Sequence, residues 1–409
     1  MKRIAMISLH GDPTAVAGYE GAGGQNVYVR ELARNLATHG AAVDVFTEKL
    51  GGTEVSAETF EPGCRVIRIP LAMPRQVGRH VFWNKLPEFL DKLADLWSDF
   101  PRYDLIHSHY WLAGWVSMRL ARRARLPLIH TSHSLGRVKV AAGFALPNAT
   151  ERFSTEEMLA KRSTIVATNR FEESQLRQLY GAQSLALVPC GFAPRHFKPQ
   201  NKDACRRSLG LRRHERMLLF VGRFDPNKGI VELIRATAAL AQNWTIKLYL
   251  VGGVRPNSSD KAEYERVKTL VDELGLAGIV QFVGAIQPAG LARYYSAADV
   301  TVIPSYYETF GLVALEALAC ASPVVASRTG GLACTVQDGK NGLLVNPGDV
   351  PGLVDAISQF LMNPDLAQRL GKAGREEVLR TYTWQSVASR MIQVYDDALD
   401  SRVLQDAQV

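Results

Sequence analysis

Short runs of β-branched and aliphatic residues alternate with segments of helical period along these 409 residues, and the whole alternation starts afresh near residue 216. The first series comprises Arg3 to Ser8, Ala42 to Thr47, Arg65 to Ile69, Asp104 to His109, Pro127 to Thr131, Thr164 to Thr168 and Leu185 to Val188. Between these runs, sets such as Val29, Leu32, Leu36 and Leu112, Val116, Leu120 recur at helical steps. Strands alternating with helices demand a parallel sheet covered on both faces. The second series runs through Arg216 to Val221, Thr245 to Val251, Ile279 to Val283, Asp299 to Ile303, Pro323 to Ala326 and Gly342 to Val345. Between the two, Val188 to Pro194 and Lys198-Pro199 are too rich in Pro and Gly to continue helix or strand. The pattern predicts an α/β chain of two doubly wound, Rossmann-like domains, 1–197 and 198–380, whose strand ends face a cleft. Open sheets of this kind bind ligands beyond the carboxyl ends of their strands, so function is sought in those turns.

Composition narrows the partners. Hydrophobic residues make up 47% and charged residues 22%, which is globular. Forty-eight Lys plus Arg against 40 Asp plus Glu leave +8, spread without a long like-charged run, which suits an anionic partner without naming it. The N-terminal apolar stretch, Ile4 to Leu9, is far short of the about 20 apolar residues a membrane helix needs. A cytoplasmic protein, at most peripherally attached to a membrane, is expected. The five cysteines have no CxxC spacing and read as thiols of a reducing compartment.

Four turns carry chemistry. Gly21-Ala22-Gly23-Gly24-Gln25-Asn26 runs into a helix, where glycines allow close approach of a ligand and backbone amides can hold an anion. In Gly222-Arg223-Phe224-Asp225-Pro226-Asn227-Lys228-Gly229 two cations flank a turn at a strand end. A guanidinium fork and an ammonium point charge together suit a diphosphate leaving group. After Val300 to Ile303, Glu308 precedes a helix and Glu316 lies about two turns inside it, so both can address one cleft at different depths. The amides of Gly311, Leu312 and Val313 begin that helix and add its dipole to the two cations. The fourth turn is Thr131-Ser132-His133-Ser134, with His107 and His109 ending the preceding strand. Neither HxH nor HxxH on strands converges on a metal and no acidic or Cys ligand joins them, so His133 reads as a cleft residue and no metal site is expected.

Taken together, these segments resemble the GT-B-fold retaining glycosyltransferases of the group 1 type. The likeness rests on the glycine loop, Thr131 to Gly136, Val188-Pro189-Cys190-Gly191, Gly222-Arg223 to Lys228-Gly229, the Glu308 and Glu316 pair, Gly330-Gly331 and Asp338 to Val345. It implies a nucleotide-diphosphate sugar as donor, with UDP-glucose as the donor to expect, and no obligatory metal or other cofactor. Arg223 and Lys228 would clamp the diphosphate, Glu308 the donor sugar, and Glu316 the ribose. Gly24, Phe310, Gly311, Leu312 and Val313 would line the donor site, with base contacts coming from backbone around Val283. His133 would lie beside the transferred sugar. The chain has no Asp-x-Asp, which removes the ligands of the metal-bridged alternative.

Within the group the likeness is to sucrose-phosphate synthases, sucrose synthases and inositol-phosphate glycosyltransferases, on Gln25 to Val29 and His133-Ser134-Leu135-Gly136-Arg137-x-Lys139. That implies a sugar-phosphate or sugar acceptor, held by Gly23, Gly24, Gln25 and His133 with Arg79 and Arg152 around its phosphate. The same resemblance implies that a helix over about 384–400 packs back on the N-terminal domain. Two features depart from it: Pro189-Cys190-Gly191-Phe192-Ala193 lacks the usual linker Asp, and Ala141 to Ala145 is short and bland.

The same residues bear on other classes. A non-catalytic binder of nucleotide sugars would not need His133 and Glu308. A nucleotide-sugar epimerase shares the two-sheet fold but not the string at the second-domain helix. Scattered aromatics give no nucleic-acid surface. An enzyme acting on a lipid or cell-envelope glycan at the membrane is the nearest rival, with Arg119 to Arg125 as its candidate contact.

Overall fold

The computed structural model describes residues 1–15, 23–73, 79–254 and 259–406, and excludes the side chains of Leu50, Arg79, His80, Ser259 and residues 402–406. The chain falls into two compact units. One holds Met1–Ala15, the segment up to Pro189, and Trp384–Val409; the other holds Cys190–Thr383. The division falls between Pro189 and Cys190, inside the Pro- and Gly-rich linker and ahead of residue 197, where the first domain was expected to end. The reason is local: Phe192 donates its N–H to Tyr382 O at 2.9 Å and pairs in parallel with Thr383, which ties the linker to the second unit.

The first unit contains β1 (Arg3–Ile7), β2 (Ala42–Leu50), β3 (Ser56–Glu61), β4 (Cys64–Leu71), β5 (Leu105–His109), β6 (Leu128–Thr131), β7 (Thr164–Ala167) and β8 (Leu185–Leu187), in the order β3-β4-β2-β1-β5-β6-β7-β8. The second contains β9 (Arg216–Val221), β10 (Ile246–Val251), β11 (Val280–Gly284), β12 (Val300–Ile303), β13 (Val324–Ser327) and β14 (Leu343–Val345), ordered β11-β10-β9-β12-β13-β14. Every strand pair is parallel except β3 with β4. Central strands such as β5 and β12 are buried throughout, as helices on both faces require. Strand β3 is the one the sequence did not announce. Its SAETFE is polar and largely exposed at the sheet edge, where charge discourages further pairing.

Helices cover the sheets through the apolar faces read from the sequence: Val29, Leu32 and Leu36 of the helix Gly24–Thr38, and Leu112, Val116 and Leu120 of Trp111–Ala124, are all buried. The last helix, Trp384–Asp406, belongs to the first unit, where Trp384 packs edge-on against Tyr28, and Lys2 pairs with Asp396 at 2.6 Å. Among the described residues no helix is long and apolar enough to cross a membrane.

Each sheet reverses its winding once. In the first unit the chain moves outward from β1 through β2 and then outward on the other side from β5; in the second the reversal lies between β9 and β12. Side chains just beyond these four strand ends stand at the crevices where open α/β sheets take ligands. His10 follows β1, His109 ends β5, Arg223 follows β9, and Ser305 to Glu308 follow β12.

Candidate active site

In the second unit the turns leaving β9 and β12 are stitched together. Tyr306 donates its N–H to Asn227 O at 2.8 Å, and Asn227 Nδ2 donates to Tyr307 O at 2.6 Å. Gly229 makes the approach possible: its φ is +65°, and a Cβ there would lie 2.1 Å from Pro304 O. This crossing brings Lys228 to Glu308, and Lys228 Nζ donates to Glu308 Oε2 at 2.5 Å, both side chains about one-fifth exposed (20% and 21%). Arg223 reaches outward, 42% exposed, with Nη2 3.1 Å from Asp225 Oδ2 and Nη1 3.7 Å from Asp260 Oδ1. Asp225 also fixes the turn, since its Oδ1 accepts the Asn227 N–H at 3.0 Å. The cations expected to clamp a diphosphate thus stand at one strand end, each already opposite a carboxylate.

The helix Leu312–Ala319 begins beside them. Gly311 precedes it in the left-handed region (φ +88°), and no side chain caps its first turn. Its leading amides are therefore available to an anion. Phe310 was expected among the donor contacts, but its side chain is 5% exposed and packs against Tyr382. Its ring belongs to the core, so only its backbone can serve a ligand. Leu312 and Val313 are half-buried.

Glu316 lies deeper, accepting from Tyr295 Oη at 2.9 Å. Burial raises its carboxyl from 4.5 to about 7, with the Tyr295 bond opposing. Folded protein therefore holds a proton that the unfolded chain releases, so Glu316 costs stability progressively as pH climbs from about 4.5 to about 7. In a Glu316→Gln variant that cost disappears. Thermal unfolding of the variant against wild type should show a relative gain at pH 8 and none near pH 4. An unchanged difference across that range would remove the carboxyl from this environment.

A cavity of about 620 Å³ is lined by Phe224, the residue after Arg223, and by Tyr264, Phe282, Val283 and Lys261, among others. Phe224 and Phe282 stack at 6.1 Å, and Tyr264 meets both edge-on at 5.0 and 5.2 Å. Val283, expected to mark the base contacts, lines this cavity.

In the first unit, four histidines gather at the ends of β5 and β6. His107 bonds Tyr395 Oη at 2.7 Å through Nδ1 and Thr131 Oγ1 at 2.9 Å through Nε2, and His130 Nδ1 meets Ser108 Oγ at 2.8 Å. His109 Nδ1 lies 3.0 Å from His133 Nε2. Tyr28 closes edge-on over His133 at 5.0 Å. Burial pushes His130 and His133 down to about 3 and His107 and His109 well below the usual histidine value, so all four rings are neutral near pH 7. His133 itself is half-buried and sits in the left-handed region (φ +57°). Among the described residues no set of three or more His, Cys, Asp or Glu side chains is placed to hold a metal ion.

Gln25, on the first turn of Gly24–Thr38, donates Nε2 to Ser8 Oγ at 3.1 Å and lies 3.5 Å from His109 O. Gly23 donates its N–H to Asn26 Oδ1 at 3.0 Å, and Gly24 is exposed. Gly21 and Ala22 of this loop lie outside the described residues. So does the side chain of Arg79, whose backbone opens the 3-10 turn Arg79–Lys85.

Arg152, expected around an acceptor phosphate, is a core residue, 2% exposed. Its Nε donates to Glu156 Oε1 at 2.7 Å, its Nη2 to Ser134 O at 2.8 Å and Ser134 Oγ at 3.1 Å, and its Nη1 lies 3.3 Å from Tyr110 Oη. Glu156 is completed by the Gly136 N–H at 3.0 Å and by Tyr180 Oη at 2.6 Å. The network pins the Ser134 to Gly136 turn immediately after His133. Tyr110 and Ser134 were not anticipated; their signal in the sequence is only that they follow the histidine-bearing strands.

The second-domain residues 201–377 match the family Glycosyl transferases group 1, and residues 23–191 match a Glycosyl transferase 4-like domain. A D-inositol 3-phosphate glycosyltransferase of Acidothermus cellulolyticus is 36% identical, over 98% of this chain and 91% of its own length. The chain belongs to the group 1 glycosyltransferases. It is also similar to one from Corynebacterium diphtheriae bearing the same name, 35% identical over 97% of this chain and 95% of that one. Among solved structures, a sucrose-phosphate synthase from Thermosynechococcus elongatus superposes with a TM-score of 0.90 at 41% identity, covering 98% of this chain and 100% of that one. The fold is GT-B, shared at 19% identity and a TM-score of 0.77 with Anabaena HepE, which was crystallised with UDP and glucose and matches over 97% of this chain and 100% of that one. As a group 1 glycosyltransferase this chain is an enzyme.

Proposed function

We propose that this glycosyltransferase moves a hexose from a nucleotide diphosphate, UDP-glucose before others, onto a sugar phosphate, with retention of anomeric configuration. The observation that carries the reading is the Lys228 and Glu308 pair at the switch point of the second sheet, with Arg223 beside it. The diphosphate takes over Lys228, and Glu308, released from its partner, accepts hydrogen bonds from the donor sugar. Arg223 and the leading amides of Leu312–Ala319 hold the remaining phosphate oxygens. The flat base enters the cavity walled by Phe224, Tyr264 and Phe282, and Glu316 takes the ribose.

In the reaction the bond between the sugar C1 and the phosphate oxygen breaks, and negative charge grows on the departing diphosphate. Two cations and a helix terminus stabilise that charge more in the transition state than in the substrate, which is what accelerates the step. The acceptor hydroxyl attacks C1 from the face being vacated and passes its proton to the leaving phosphate oxygen. No carboxylate nucleophile is required. His133, neutral, orients the sugar. The acceptor phosphate is met by Tyr110 and Ser134, backed by the Arg152 guanidinium, together with Arg79. This acceptor assignment is supported by the names of the relatives and by the convergence of those hydroxyls on one buried cation.

The test is a thermal-shift and turnover screen of UDP-, ADP- and GDP-sugars, each with fructose 6-phosphate, inositol phosphate, fructose or a lipid acceptor. One nucleotide sugar should stabilise the protein, and a sugar phosphate should accelerate release of its free diphosphate. Turnover only with lipid or glycan acceptors would overturn the sugar-phosphate assignment. Failure of every nucleotide sugar to bind would overturn the donor site.

A further inference from the structure

The contact between His109 and His133 contains a choice of proton position that the surroundings decide. His109 Nδ1 and His133 Nε2 lie 3.0 Å apart, so one nitrogen carries the hydrogen and the other accepts it. His109 is fully buried, and among the described residues its Nε2 meets no hydrogen-bond partner. Were His133 the donor, the proton of neutral His109 would have to sit on that Nε2, an orphaned N–H in the interior. Orphaned buried N–H groups are rare and costly, and an unused acceptor is tolerated more readily. The hydrogen therefore belongs to His109 Nδ1. His133 accepts it at Nε2 and must carry its own proton on Nδ1, the nitrogen not engaged by His109.

The placement of His109 is fixed by the sheet. It ends β5 directly opposite Thr131 at the end of β6, its ring lies 4.2 Å from that of His107, and His107 is itself held by Thr131 and Tyr395. The ring that contacts His133 thus cannot turn without disturbing two strands and the last helix.

We infer that His109 is a positioning residue that holds His133 in its Nδ1–H form, so that His133 presents a hydrogen-bond donor, and no base, to the transferred sugar. Resting on the proposed function, this explains why a histidine beside the reacting centre leaves the acceptor proton to the departing phosphate. The free nitrogen of His133 has no lone pair with which to take it. A sugar hydroxyl oxygen is the partner such an N–H selects.

The experiment uses the full chain labelled with ¹⁵N. Two-bond ¹H–¹⁵N spectra at about pH 7.5 distinguish protonated from bare ring nitrogens, with the His133 signals assigned by their loss in His133→Gln. Wild type should show His133 protonated at Nδ1. In His109→Leu the ring should become a mixture of tautomers. In His109→Asn, whose amide N–H replaces that of Nδ1, the wild-type pattern should return. In parallel, turnover should fall about tenfold in His109→Leu with the donor KM nearly unchanged, and recover in His109→Asn. A wild-type His133 protonated at Nε2, or a tautomer indifferent to His109→Leu, overturns the inference. Wild-type protein showing the Nδ1–H ring but turning over no nucleotide sugar would support the tautomer assignment and overturn the proposed function instead.

Discussion

Lys228→Ala should lower turnover by about 10²-fold or more, and Arg223→Ala should do the same, because in the proposed reaction each removes a charge that acts on the diphosphate as its bond to the sugar breaks. Both side chains reach solvent, so the fold should survive and the loss should appear in kcat as well as in donor binding. Lys228→Ala carries an additional signature. It releases Glu308 from its 2.5 Å partner, so a Lys228→Ala, Glu308→Gln double variant should lose less than the sum of the two single changes. Steady-state kinetics with the nucleotide sugar identified by the screen would measure this. Near-wild-type rates in both single variants would remove the clamp.

The second large effect concerns stability. Arg152→Ala strands the Glu156 carboxylate, itself 5% exposed, without its cation. Removing one partner of such a buried pair costs about 3–5 kcal/mol. Denaturant unfolding of the variant should show that loss, and pairing the change with Glu156→Leu should recover much of it. A destabilisation below about 1 kcal/mol would mean that the network around Ser134 to Gly136 carries little of the fold. Arg152→Lys separates the two roles argued for this residue. It keeps the charge but not the fork that spans Glu156 and Ser134, so a phosphorylated acceptor should bind less tightly while an unphosphorylated one is unaffected.

How much of this was legible in the sequence depends on distance along the chain. Periodicity reports which face of a segment is buried, and it located the strands whose exits carry His133, Arg223 and Glu308. It failed at β3, because SAETFE at an exposed edge has no buried face to report. It could not see pairings across long separations. Lys228 and Glu308 are 80 positions apart, and nothing local says that they meet. Arg152 shows the same limit from the other side: its cation and its i,i+4 partner Glu156 were legible, but its burial also needs Ser134 and Tyr110, which arrive from two other segments. The ring of Phe310 shows a related limit, since a residue next to a binding turn points either outward or into the core, and the turn alone does not say which.

The return of Trp384–Asp406 to the first unit makes the second unit, in effect, an insertion within the first. During synthesis, the strands β1 to β8 emerge long before Trp384 can cover Tyr28 or Tyr395 can bind His107. The histidine cluster therefore has to wait, partly uncovered, while the whole second unit is made and folds. Residues 1–189 produced alone would lack that cover, and the histidine cluster becomes complete only once Trp384 and Tyr395 have been made.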